Sequence, residues 1–153
     1  MRLLRTLLVF KLGVYAGLAA AAAVLKRTLR SRGDETSDDL ALVAILDGVK
    51  LESRAQAFRG GSMLAWLGGI DVDLREAQLA PDAHLSVTAL LGGISIRIPE
   101  DWRVESSVHA LAGGVDVKSA RTDDPDAPTL RIEGLAALGG VAVAAKPRAS
   151  TQA

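Results

Sequence analysis

The sequence predicts an all-β fold, a solenoid-like stack of Gly-Gly-centred β repeats preceded by one N-terminal α-helix. Three observations carry this prediction. Five stretches align on a glycine corner, the positions around that corner alternate between apolar and polar, and one charge-poor apolar run precedes them all. The 153 residues suit a single ordinary domain. Apolar residues make up 49% and aromatics only 3%, so a core must be filled by Leu, Ile, Val and Ala in thin, regular layers.

Residues 1–32 form the first segment. The run 7–25 carries one charge, Lys11, has no proline and is rich in alanine and leucine, which predicts a helix. At about 1.5 Å per residue it would just span a bilayer core of roughly 30 Å. A single-pass anchor is the leading reading. A membrane-surface or core-packed helix is the second, and a cleaved signal peptide the third. Gly13 and Gly17 have the small-xxx-small spacing that lets helices pack closely. Basic residues flank both sides: Arg2, Arg5 and Lys11, then Lys26, Arg27, Arg30 and Arg32. The denser second group favours a cytoplasmic location for the downstream β domain and could also bind anionic headgroups. The expected localisation is the cell membrane, single-pass or peripheral, with lipid contacted through residues 1–32.

Residues 33–39 (GDETSDD) read as an acidic linker, and residues 40–146 as the five-repeat β domain. The stretches are ILDGVKLES (45–53), WLGGIDVDL (66–74), LLGGISIRI (90–98), LAGGVDVKS (111–119) and ALGGVAVAA (137–145). Their reference glycines are Gly48, Gly69, Gly93, Gly114 and Gly140, spaced 21, 24, 21 and 26 residues apart. That period suits one solenoid turn per repeat. Two residues before each reference stand Leu46, Leu67, Leu91, Ala112 and Leu138. One after come Val49, Ile70, Ile94, Val115 and Val141; three after come Leu51, Val72, Ile96, Val117 and Val143.

Side chains three apart in a strand face opposite ways, so a bend is needed to turn all three sets inward. Gly68, Gly92, Gly113 and Gly139, with the five reference glycines, supply it by accepting positive φ and bulges. The first repeat has Asp47 where the others have glycine. An antiparallel β-sandwich is the competing architecture. Connectors fall at 60–62, 80–82, 99–101 and 123–128, and residues 147–153 read as a disordered tail.

Little chemistry is offered. No cysteine means no disulfide, thiolate nucleophile or Cys-based zinc site. His84 and His109 are isolated, with no metal-ligand spacing, and His84 reads as a turn residue. Asp71, Asp73 and Asp116 read as a solvated strand face, because the Asp-x-Asp-x-Asp-Gly calcium loop is absent. The glycine pairs form no phosphate loop. Ser106, Ser107 and His109 lack a nucleophile motif. Trp66 and Trp102 read as core or end-cap packing, and Arg54 and Arg59 as solvated charge. A net charge of zero gives no field to recruit nucleic acid. The sequence therefore predicts no enzyme, cofactor, metal, nucleic acid or small-molecule substrate.

The stretches LGGIDVDLREAQL (67–79), LLGGISIRIPEDWRVE (90–105), LAGGVDV (111–117) and TLRIEGLAALGGVAV (129–143) resemble the C-terminal domain of the cell-wall-active antibiotics response (LiaF-type) family. The resemblance covers residues 40–145. It implies a β-solenoid-like domain behind membrane helices and restraint of a sensor kinase responding to envelope damage. Signalling members look to have several membrane segments, whereas this chain has one candidate. The functional expectation is a non-enzymatic membrane-associated interaction or regulatory module in cell-envelope stress response, with a protein partner or homo-oligomer. The alternative is a scaffold that self-assembles through its solenoid ends.

Overall fold

The computed structural model describes residues 13–17, 19–21, 23–24, 27–28, 31–118 and 124–148. The chain divides into two units, Met1–Arg30 and Ser31–Ala153. In the first unit the described residues are helical, and among them no helix is long and apolar enough to cross a membrane. Much of the expected anchor, including 7–12 and Lys11, lies outside the described residues, as do Lys26, Arg30 and the end of the tail from residue 149. Gly13 and Gly17 are described and exposed, and no described residue would lie within 4 Å of a side chain added at either.

The second unit is β throughout its regular structure. Its strands are β1 (Asp39–Ile45), β2 (Gly48–Glu52), β3 (Phe58–Trp66), β4 (Gly69–Asp73), β5 (Leu79–Leu90), β6 (Gly93–Pro99), β7 (Arg103–Lys118) and β8 (Thr129–Lys146). All pairings between these strands are parallel, which replaces the alternative of an antiparallel sandwich. One ladder runs β1-β3-β5-β8 and a second runs β2-β4-β6-β8. The long strand β8 takes part in both, because it passes through the corner without breaking. So does β7, which pairs with β8 alone.

The register places like residues beside like. Gly48 pairs with Gly69, Gly69 with Gly93, Gly93 with Gly140, and Gly140 with Gly114. Val49, Ile70, Ile94, Val141 and Val115 form the next column, and Leu51, Val72, Ile96, Val143 and Val117 the one beyond. On the other ladder Ala44, Ala65, Ala89, Ala136 and Ala110 line up just before the corner. Only small side chains fit where the ladders converge; Leu42, Met63, Leu85, Val87 and Ile132 fill the wider part of the core.

The layers are not stacked in chain order. The last layer, β8, lies between β5/β6 and β7, so the order through the stack is first, second, third, fifth, fourth. At about 4.8 Å per step, β7 becomes the outermost strand. Its burial reflects that position: most of its sixteen residues are exposed, and Val104, Val108, Val115 and Val117 are only partly covered by the core.

The corners also differ from the expected arrangement. Leu46, Leu67, Leu91 and Leu138 do not turn inward. They themselves take the left-handed conformation, with φ of 56°, 54°, 55° and 53°. The glycines that follow serve another need. A Cβ on Gly68, Gly92, Gly139 or Gly113 would lie 2.2, 2.2, 2.1 or 1.9 Å from the carbonyl oxygen of Asp47, Gly68, Gly92 or Gly139 in the adjacent layer. Glycine is demanded there by stacking distance. Asp47 is the exception that fits, because its layer is the first and no described strand lies beyond it.

Candidate interaction surface

Among the described residues of the β unit, the large apolar side chains left exposed are Leu46, Leu91, Leu111 and Leu138, at 57%, 48%, 74% and 65%. All four sit at the corner, and half-buried Leu67 continues their line. Corner hydrogen bonds hold successive layers in step: Leu46 N–H donates to the Trp66 carbonyl, Leu67 to Leu90 and Leu91 to Ala137, at 3.0–3.1 Å. Leu46, Leu67, Leu91 and Leu138 therefore line up as a ridge, with Leu111 on the bulge of β7 at its end. A left-handed non-glycine residue costs about 1–2 kcal/mol. Neither burial nor backbone preference accounts for leucine at these exposed positions.

Beside the ridge runs a mainly apolar groove of about 750 Å³. Gly48, Gly69 and Gly93 floor it, since outward positions without side chains leave backbone uncovered. Val49, Ile70 and Ile94, with Lys50, Asp71, Ser95 and Ala142, complete its lining. Gly114 and Gly140 continue the same glycine column but do not line the groove.

The charged residues are mostly occupied with one another. Asp73 was expected on a solvated face, but it is buried and held by a fork from Arg75. Arg75 Nε donates to both Asp73 oxygens at 2.9 Å and Nη2 donates to Oδ2 at 2.7 Å. Burial on its own would raise this carboxyl. The Arg75 hydrogen bonds and charge, with Arg97 at 3.8 Å, outweigh it and leave the pKa below the ordinary value. Arg97 also donates to Asp71 Oδ2 at 3.0 Å, while Asp71 Oδ1 is buried with no hydrogen-bond partner among the described residues.

Elsewhere Arg54 pairs with Glu76 at 2.9 Å and Arg59 with Asp39 at 2.6 Å. Asp116 pairs with Lys118 at 3.2 Å. His84 lies within β5 rather than in a turn, 3.1 Å from Glu133. His109 stands exposed on β7 with Ser106 and Ser107. Trp102 is buried, as its packing role requires, whereas Trp66 is half-covered. Among the described residues no group of three His, Cys, Asp or Glu could hold a metal.

The two ends of the stack are unlike. At the β1 end, Arg32 and Ala41 exchange backbone hydrogen bonds of 2.6 and 2.8 Å, and the Ser31 hydroxyl serves both N–H and carbonyl of Val43. At the β7 end there is no further described strand.

No protein-family model matches the chain, and no solved structure does. It is similar to two uncharacterized proteins of Mycobacterium tuberculosis. One, from strain CDC 1551 / Oshkosh, is 29% identical over 108 residues, which is 70% of this chain and 54% of the relative. The other, from strain ATCC 25618 / H37Rv, is 28% identical over 108 residues with the same shares. The chain thus spans about half the length of the curated relatives it matches.

Proposed function

We propose that this chain is a non-enzymatic, membrane-associated interaction module built on a β-solenoid. In this reading residues 1–32 hold it at a lipid surface, and the corner ridge meets a protein partner. The observation that carries it is the ridge itself. Four exposed leucines line the corner, three of them on backbone that would favour glycine, beside an apolar groove. Strain kept at an exposed apolar surface is a reason to look for a partner. The resemblance to the cell-wall-active antibiotics response family suggests the setting, restraint of an envelope-stress sensor.

The test combines two full-chain variants. Replacing Leu91 and Leu138 together by glycine, which positive φ favours, is expected to keep the fold and, on this reading, to abolish recovery of the partner from solubilised membranes. Undiminished recovery with the double variant would rule out the ridge. Deleting residues 1–32 is expected to release the protein from the membrane fraction, and retention there would remove the tether.

A further inference from the structure

We infer that the protein forms a closed dimer through antiparallel pairing of β7 with β7 of a second copy, about a twofold axis at the Leu111/Ala112 corner. The inference rests on the ends of the stack and shares only Leu111 with the ridge.

Residues facing the core turn their backbone groups toward the next layer. Ser53 N–H donates to the Asp73 carbonyl, and Leu74 N–H to that of Arg97. On β7 there is no next described layer, so Ser106, Val108, Val115 and Val117 present backbone donors and acceptors to solvent. A sixteen-residue edge of this kind, with no proline, is a template for another strand. The half-covered Val104, Val108, Val115 and Val117 leave the core open at the same end.

The opposite end selects among the possible occupants. Head-to-tail growth would seat the first layer of a second copy on β7. Asp47 stands where every inner layer has glycine, and a Cβ there would meet the neighbouring carbonyl at about 2 Å, as it would at Gly68, Gly92 and Gly139. The bridge at Arg32 covers the β1 edge as well. The first layer therefore cannot accept β7, and β7 is left to meet its own copy.

A twofold along the bisector of the corner reverses the strand and keeps both interiors on one side. It sets Val108 opposite Val115 of the second copy and Ser106 opposite Val117, all core-facing. Outward, Glu105 falls opposite Lys118, joining the existing Arg131–Glu105 and Lys118–Asp116 pairs, both at 3.2 Å. Opposite charges directly across an antiparallel pair are favourable, and like charges are not.

Sedimentation of the full chain in mild detergent tests this. The expected species is a dimer, unchanged when the protein is concentrated. Glu105→Lys places lysine against Lys118 twice per dimer and is expected to weaken association about tenfold. The double variant Glu105→Lys/Lys118→Glu restores it, which separates this contact from any pairing of N-terminal helices. A monomer, open-ended filaments, or a dimer indifferent to Glu105→Lys would each overturn the inference.

Discussion

The two glycine positions of the corner have different tasks. Gly92 has no room for a Cβ, which would lie 2.2 Å from the Gly68 oxygen, whereas Gly48 has open space. Gly92→Ala is therefore expected to destabilise by more than about 3 kcal/mol, and Gly48→Ala by less than about 1 kcal/mol. Denaturant unfolding of both variants checks this, and equal effects would contradict the stacking argument. The spacing of glycines was legible in the sequence, since it reports a corner. Which residue carries the positive φ was not, because a leucine there reads as core in any periodic pattern. Asp47 looked like a departure from the repeat and is a consequence of its place at the end.

Asp73 ties stability to pH, because its carboxyl is buried and held by Arg75. Its pKa is lowered in the folded state, so its contribution is fully present above the ordinary carboxylate value of about 3.9. That contribution is lost as the pH falls through the lower folded value. Asp73→Asn is expected to be less stable at pH 6 and to lose less stability on acidification. Urea midpoints between pH 6 and 2 measure both. Its burial was hidden from the sequence, where Asp-x-Asp after a glycine pair has the outward alternation of a solvated strand. The fork from Arg75 depends on the turn after β4, which strand alternation does not describe.

The strands themselves followed from alternation, although the connectors expected at 60–62 and 80–82 lie inside β3 and β5, where Gly60 and Gly61 answer the close approach of the His84 and Leu40 carbonyls rather than a turn. The order of the strands did not follow. The step from Gly93 to Gly114 is 21 residues, the same as from Gly48 to Gly69, although one pair is separated by β8 in space and the other is adjacent. Nothing in the spacing distinguishes stacking on the previous layer from leaving a gap for the next. The order has a measurable consequence. β8 has neighbours on both sides and β7 on one, so core amides of β8 around Ile132, Ala136 and Val143 should exchange most slowly. Amides of Val108 and Val115 on β7 should exchange far faster unless a second copy covers them. Slow exchange of β7 in a proven monomer would contradict the observed order.

At the scale of the molecule, the described charged residues of the β unit are largely paired with one another, while the corner and one end are left apolar or open. The proposed tether, the ridge contact and the strand pairing can each be measured separately. Site-specific photo-cross-linking in native membranes, with the probe at Leu138 or at Glu133, tests the central claim most directly. Both positions are exposed on β8, but only Leu138 belongs to the ridge. The account predicts a discrete protein adduct from position 138 and none from 133. No adduct at 138, or the same adducts from both positions, would contradict it.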